Sequence, residues 1–234
     1  MASTPKGRPG KREGHPDRAG QSDLTSSRSA VTREALLHAA RDIFIARGYS
    51  ATRMADIVEK AGASVGLPYY YFGSKEKIFI ALWSDYQAKQ EARTRLATTA
   101  ARAAGETDGG RLLVAGMRAY LEGAWEVRDM LPMMHGRDRP PSFDVVSKET
   151  NLRWARRNMA LLTGETPAVA SAINAILSSS LGAMCTELVN CRNYEEAKVL
   201  IDIATDLWTA MIGRVAALHE LAGGQQGARA PQAV

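Results

Sequence analysis

Residues 52 to 75, TRMADIVEKAGASVGLPYYYFGSK, hold two short helical segments separated by a glycine-containing turn. We expect the first helix to begin at Thr52, whose hydroxyl suits an N-cap because it accepts a bond from a first-turn backbone N–H. Gly62 stands where that helix must end, since glycine enters the left-handed conformation without a side-chain penalty. Ser64 is predicted to cap a second helix of about two turns that runs to Tyr71. This arrangement is a helix-turn-helix, whose second helix is built to lie in a DNA major groove.

Apolar residues recur at helical spacing along most of the remaining chain, and no segment shows the alternation that is typical of a strand. The predicted fold is therefore all-α. Outside the helix-turn-helix, we expect a proline-containing loop at residues 131–142, and helices at about 32–47, 74–104, 111–130, 143–162, 168–191 and 195–221.

The net charge of +5 is unevenly distributed along the chain. Residues 1–30 hold six Lys or Arg against three Asp or Glu, residues 31–77 hold seven against five, and the remainder holds 17 of each. A basic end beside a neutral remainder indicates a polyanionic partner, although a basic tail that only keeps the chain soluble has the same pattern. Residues 1–29 are poor in large apolar groups, so we predict a disordered basic arm there, which is suited to reaching a minor groove.

The segment from Thr32 to about Leu82 resembles the DNA-binding domain of the TetR family of bacterial transcriptional regulators. The resemblance rests on the opening helix TREALLHAARDIFIARGYSAT, the turn AGAS, the aromatic run YYYF and the closing SKE. It implies an N-terminal three-helix helix-turn-helix DNA-binding domain followed by a C-terminal helical ligand-binding and dimerisation domain. The implied boundaries are a DNA-binding domain at 30–82 with its motif at 53–72, a second domain at 83–222 and a flexible tail at 223–234.

The resemblance also implies positions for the DNA contacts. The family's pattern makes four positions base-facing: Val65, Gly66, Leu67 and Tyr70. It makes three positions phosphate-facing, namely Tyr69, Tyr71 and Lys75, and the helix N-terminus at Ser64 and the side chain of Arg53 are further candidates for phosphate. The alternative is that Tyr69 to Phe72 only pack in the hydrophobic core. However, consecutive helical residues are about 100° apart around the axis, so three tyrosines in a row cannot all be buried.

Three residues depart from the family's pattern. Val65 stands where Lys or Arg is common, and Ala55 stands where Arg is often found. These two changes favour apolar contact with thymine methyl groups over hydrogen bonding to guanine. Pro68 replaces a helical Leu or Ile at the expected fourth helical position, which predicts an irregular start for the recognition helix.

The C-terminal domain is predicted to hold a small hydrophobic effector. Thioether and indole side chains suit the wall of an apolar pocket, although ordinary helix core is the alternative for any one of them. The candidate pocket residues are Met117, Tyr120, Trp125, Met130, Met134, Trp154, Met159 and Met184.

The last two helices are predicted to form a homodimer interface. Their apolar residues cover a wider arc than one helix face requires, so some must face away from the monomer core. The candidate interface residues are Ile176, Ser180, Leu181, Leu188, Leu200, Ile203, Leu207, Trp208, Met211 and Val215. A two-fold dimer in turn implies a palindromic operator in double-stranded DNA.

The function that these features favour is a ligand-responsive, dimeric repressor. The alternative is a dimeric DNA-binding protein without a small-molecule effector, and an enzyme is a remote third. The sequence has no nucleophile with a histidine partner, no metal-ligand spacing and no phosphate-binding glycine loop, so we expect no catalytic site, no metal and no cofactor. No signal peptide and no run of 18 apolar residues is found, which favours a cytoplasmic protein without a membrane span.

Overall fold

The computed structural model describes residues 17–162 and 166–227. These residues form nine α-helices and one 3-10 helix without any strand, which confirms the all-α prediction. The helices are α1 (Asp17–Arg47), α2 (Met54–Ala61), α3 (Leu67–Phe72), α4 (Lys75–Ala103), α5 (Gly109–Glu126), the 3-10 helix (Arg128–Met130), α6 (Leu131–His135), α7 (Phe143–Met159), α8 (Pro167–Leu188) and α9 (Tyr194–Gly227).

Helix α1 begins far earlier than its apolar pattern predicts. It starts at Asp17 rather than at Thr32, so the expectation of disorder over residues 1–29 is wrong for residues 17–29. The first 16 residues lie outside the described part of the chain. No proline follows Pro16 before the packed part of the helix, and extending a formed helix adds one backbone bond for each residue ordered. Apolar periodicity marks the part of a helix that packs on a core and does not mark how far the helix extends beyond it.

The first three helices and the start of α4 enclose a small apolar core. Leu36, Phe44 and Ile57 are fully buried or nearly so, and Phe72 at the end of α3 is only 7% exposed. Phe44 and Phe79 pack edge to face with their ring centroids 5.7 Å apart. This core sets the orientation of α3 relative to α1 and α4.

Helix α4 belongs to both halves of the molecule. Ser74 caps its N-terminus by accepting a hydrogen bond from the Lys77 backbone N–H at 3.2 Å, and the helix ends at Ala103, close to its predicted bounds. Its first turns pack on α1 and α3, and α5 packs along it. Helix α4 thus links the N-terminal core with the helices of the second domain.

The segment that follows α5 differs from its prediction. Residues 131–142 were expected to form a loop, but Leu131–His135 is the short helix α6. Its proline, Pro132, occupies the second helical position, where the missing N–H has no intrahelical partner to lose. A proline-rich composition thus excludes a helix interior but permits a helix start.

Helices α8 and α9 lie beside each other and pack on α5. Helix α9 continues to Gly227, so the predicted tail at 223–234 is helical over its first residues, and residues 228–234 lie outside the described part. By length and composition alone, α8 is apolar enough to cross a membrane, with a mean hydropathy of 1.5 over its best window. Counting uninterrupted apolar runs overlooks it because serines, an asparagine and a glycine interrupt its apolar residues.

Candidate functional site

The first helix of the helix-turn-helix is capped by a residue that differs from the predicted one. Helix α2 begins at Met54 with Arg53 as its N-cap, and the backbone N–H of Arg53 donates to the Asp56 carboxylate at 2.8 Å. Thr52 is not the cap, because its side chain is buried and its hydroxyl donates to the Gly48 carbonyl at 2.7 Å. Gly62 ends the helix in the predicted left-handed conformation, with φ at 59°.

Helix α3 is shorter than predicted. Residues 64–66 form a turn in which the Leu67 backbone N–H donates to the Ser64 carbonyl, so Ser64 is not a helix cap. Gly66 takes the N-cap position, and Pro68 becomes the second helical residue instead of the fourth. The proline therefore removes no helical hydrogen bond, because a backbone N–H at this position has no partner within the helix. It is compatible with a helix that begins at Leu67.

The outer face of α3 and the turn before it carry exposed apolar and aromatic side chains. Tyr70 is 80% exposed, Val65 is 73% exposed and Tyr69 is 53% exposed, whereas Phe72 points into the core. Tyr71 is half-buried and its hydroxyl lies 3.0 Å from the Ser29 hydroxyl of α1. The four aromatic residues are therefore divided between the core and the surface.

Comparison with known proteins places this motif in a family. Residues 36–82 match the family described as bacterial regulatory proteins, tetR family. This segment is a TetR-family DNA-binding motif. The repressor NicS of Pseudomonas putida is 38% identical over 68 residues, which are 28% of this chain and 32% of NicS. The match thus spans about a third of the length of this curated relative.

Solved structures extend the TetR-family likeness to the second domain at the level of the fold. A TetR-like transcriptional regulator from Rhodococcus sp. RHA1 aligns with a TM-score of 0.60 at 23% identity, covering 80% of this chain and 97% of that one. The regulator FadR of Bacillus subtilis, solved with stearoyl-CoA, aligns with a TM-score of 0.63 at 15% identity, covering 75% and 96%. These TetR-like structures share the arrangement of helices with this chain.

The structure gives Lys75 a role other than the phosphate-facing one that the TetR pattern implies. Its ammonium donates to the carbonyls of Tyr49 and Thr52, both at 2.7 Å, and lies 4.2 Å from the centre of the Tyr49 ring. These bonds tie the start of α4 to the turn between α1 and α2. Lys75 thus positions the helix-turn-helix from within.

Arg53 lies at the protein surface at the start of α2. Its guanidinium is 80% exposed and lies 3.2 Å from the Asp56 carboxylate. Hydrogen bonds from the backbone and side chain of Arg53 hold the pKa of Asp56 below its usual range. The Asp56 carboxylate thus pairs with Arg53 at the start of α2.

A cavity of about 920 Å³ opens in the second domain, within the size range of small-molecule sites. It is framed by side chains of α4, α5, α6, α7 and α8. Four of the predicted pocket residues line it: Met117, Tyr120, Met134 and Trp154.

The other four predicted pocket residues, Trp125, Met130, Met159 and Met184, do not line the cavity. Trp125 and Met130 are buried in the core, and Met159 and Met184 are partly buried against it. The alternative interpretation as helix core is correct for these four, because apolar chemistry alone does not separate a cavity wall from packed interior. Sequence reasoning missed Trp83, Phe143 and Cys185, which do line the cavity.

The innermost wall of the cavity is uncharged at neutral pH. Burial raises the pKa of the Cys185 thiol to about 12, and burial together with the neighbouring Tyr86 raises that of Tyr120 well above its usual value. The Tyr86 hydroxyl donates to the Tyr120 hydroxyl at 3.2 Å and accepts from the Gln90 amide at 3.1 Å. Of these three hydrogen-bonded residues, Tyr120 lines the cavity, as an aromatic and uncharged side chain.

The predicted interface residues fall into three groups, which are exposed, partly buried and buried. Ile176, Ile203 and Leu207 are 56%, 51% and 65% exposed, and Ser180, Leu181, Leu200, Met211 and Val215 are partly buried. The prediction is wrong in detail for Leu188 and Trp208, which are buried within the monomer. The Trp208 ring N–H donates to the Ser180 hydroxyl at 2.8 Å, so this pair joins α9 to α8 inside one chain.

Three polar contacts that the sequence did not predict join the two domains. The Asp138 carboxylate accepts from the Ser50 backbone N–H at 3.0 Å, Asp129 pairs with Arg41 at 2.5 Å, and the Ser142 backbone N–H donates to Glu76 at 3.3 Å. All three reach from the segment around α6 to the helix-turn-helix domain. Partners that lie 66 to 88 residues apart leave no signal in local sequence.

Proposed function

We propose that this chain is a dimeric repressor that binds a palindromic operator through α3 and is released by a small molecule bound in the cavity of the second domain. The observation that carries the proposal is the exposure of Tyr69 and Tyr70 on a helix anchored by buried Phe72, within the segment that matches the TetR family. Large exposed side chains on a rigidly held helix are suited to reading base edges and phosphates.

The proposed dimer is supported by the apolar stripe on α9. Val199, Ile203 and Leu207 follow at intervals of four residues, so they lie on one face, and all three are more than half exposed. A row of large apolar side chains facing solvent marks an interaction surface. Ile176 on the neighbouring helix α8 is also exposed, and the two helices together fit a four-helix interface between two copies, with each copy providing one α3.

The proposed release is supported by contacts that run from the cavity to the helix-turn-helix. Phe143 lines the cavity and packs edge to face on Phe79 of α4 at 5.4 Å, and Phe79 packs in turn on Tyr49 at 5.4 Å. Tyr49 carries the carbonyl that holds Lys75. A ligand that displaces Phe143 would change the distance between the two α3 helices of the dimer. It can do so only to the extent that it binds the released arrangement more tightly than the DNA-binding one.

Two relatives are consistent with this proposal. NicS is named as a transcriptional repressor, and FadR was solved in complex with stearoyl-CoA, an apolar chain on a large polar head. A repressor of this kind acts on chromosomal DNA, so we place the protein in the cytoplasm.

Footprinting on the DNA next to its own gene tests the proposed function. We expect two protected half-sites related by two-fold symmetry, at about one helical turn or a multiple of it. Tyr70→Ala should change which bases are tolerated within each half-site, at about 1–3 kcal/mol for each lost contact, because its side chain faces outward from α3.

Leu96→Ala is the matched control, since Leu96 is 72% exposed on α4 away from the motif. It should leave the footprint unchanged. Absence of protection at low salt, or equal effects of Tyr70→Ala and Leu96→Ala on every sequence, would contradict the proposed function.

A further inference from the structure

The charges around the cavity are strongly biased toward one sign. Five cationic side chains line it, namely Arg95, Arg102, Arg139, Lys148 and Arg157, and Glu91 is the only carboxylate among the described lining residues. A cleft lined by one sign of charge over low-dielectric walls attracts ligands of the opposite sign.

Pairing within the protein neutralises only part of this charge. Glu91 is shared by Arg157 and by Arg95, which lies 3.8 Å away, and Arg139 pairs with Asp144 at 2.7 Å. Arg102 and Lys148 have no ion pair within the described part of the chain. Five cations against two carboxylates leave an excess of three positive charges at this site.

The cations and the apolar residues occupy different parts of the cavity. The Arg95 and Arg157 side chains are 71% and 48% exposed, and Arg102 and Lys148 are also exposed. In contrast, Trp83, Tyr120 and Phe143 are no more than 7% exposed and form the inner wall. The cavity therefore has an apolar, aromatic interior and a cationic rim.

We infer that the cavity binds an amphipathic organic anion, with its apolar body against the aromatic wall and its anionic group at the cationic rim, to which Arg102 and Lys148 contribute at different places. This inference rests on the proposed function, because it names the chemical class of the effector, and it revises the small hydrophobic effector of the sequence-based prediction. The interior excludes charged groups because burying an unpaired ion costs desolvation free energy. The rim can bind an anion that stays partly hydrated, through charge-assisted hydrogen bonds.

Calorimetric titration of the full-length protein with three ligands of equal chain length tests this inference. Decanoate, 1-decanol and decyltrimethylammonium share the apolar body and differ in the charge of the head. We expect decanoate to bind at least tenfold more tightly than decanol. Decyltrimethylammonium should bind more weakly than either. Equal or tighter binding of decanol or of decyltrimethylammonium, or no binding of decanoate, overturns the inference.

Substitutions at the rim show whether the two unpaired cations are responsible. The double variant Arg102→Gln with Lys148→Gln should weaken decanoate about fivefold or more and leave decanol unchanged, because both residues are exposed and line the cavity. Lys89→Gln with Arg111→Gln is the matched control, since these side chains are 76% and 66% exposed and do not line the cavity. An equal loss of affinity for decanoate and for decanol, or an equal effect in the control variant, would show that Arg102 and Lys148 do not bind the anionic group.

Adding duplex DNA to the titration separates the two proposals. Decanoate binding that weakens DNA binding supports both the ligand class and its role as an effector. Decanoate binding that leaves DNA affinity unchanged supports the ligand class and contradicts the proposed release mechanism. Preferential binding of decanol, with intact DNA binding, overturns the ligand class and leaves the DNA-binding function standing.

Discussion

The ammonium group of Lys75 holds together three parts of the DNA-binding domain. It donates to the carbonyls of Tyr49 and Thr52, and it lies over the Tyr49 ring. Lys75→Met keeps the apolar stem but leaves two partly buried carbonyls without these donors, which costs about 1–3 kcal/mol. We expect a lower free energy of unfolding in urea by that amount.

Lys77→Met provides the comparison for this residue. Lys77 is exposed, and its side chain makes no hydrogen bond within the described residues. This change should leave the free energy of unfolding within about 0.5 kcal/mol of the parent protein, as surface substitutions usually do. Equal stability of the two variants would show that the internal bonds of Lys75 contribute nothing.

Residue-level predictions from sequence succeed where the cause is local. The left-handed conformation of Gly62 follows from its place at the end of an apolar helix, and the structure confirms it. The partners of Lys75 lie 23 and 26 residues away, so no local pattern indicates them. The prediction of Thr52 as a helix cap was wrong for the same reason. Its burial and its hydrogen bond to Gly48 depend on how α1 and α2 pack.

At the scale of elements, the segment around α6 connects the cavity to the DNA-binding domain. Met134 and Arg139 line the cavity, and Asp138 between them accepts from both the backbone N–H and the hydroxyl of Ser50. Asp138→Ala should release the turn that contains Ser50. We expect faster amide hydrogen exchange at Ser50, because its N–H loses its acceptor.

Asp144→Ala is the control for this contact. Asp144 lies on the same segment of the molecule but pairs with Arg139 rather than with the DNA-binding domain. Exchange at Ser50 should stay as in the parent protein. If Asp138→Ala and Asp144→Ala left the same protection at Ser50, this contact would not couple the two domains.

Helix types were predictable from sequence, whereas several helix boundaries were not. Apolar periodicity located every long helix, because it reports which face is buried. Pro68 and Pro132 shifted boundaries in the two short helices, since each proline is tolerated at the start of a helix and excluded from its interior. Composition identifies a proline as a helix breaker but does not show on which side of it the helix lies.

At the scale of the whole molecule, the exposed stripe on α9 is the proposed contact between two copies. Replacing Ile203 and Leu207 by Glu together would place two charges in a closely packed apolar interface. We expect this double variant to be monomeric by analytical ultracentrifugation at concentrations where the parent protein is dimeric. Because both residues are more than half exposed in the single chain, the variant should still fold.

Val145→Glu on α7 is the matched control, because Val145 is 62% exposed and lies outside the stripe. It should leave the association state unchanged. A double variant at Ile203 and Leu207 that remains dimeric would place the contact elsewhere.

The two-domain arrangement was predictable because the TetR resemblance in the first 82 residues implies a helical C-terminal domain. The composition of α8 and α9 correctly indicated more apolar residues than one face requires, but it did not show which of them face outward. Trp208 and Leu188 are buried within the monomer, where α8 and α9 pack on each other and on α5. Only the three-dimensional arrangement separates core from surface at this scale.

Selection of bound sequences from a random pool of DNA duplexes tests the central claim most directly. A two-fold dimer that presents two copies of α3 must enrich a palindrome whose half-sites are about one helical turn, or a multiple of it, apart. The same selection with the monomeric double variant at Ile203 and Leu207 should enrich no palindrome. Enrichment of an asymmetric site by the parent protein, or enrichment of no sequence at all, would contradict the account.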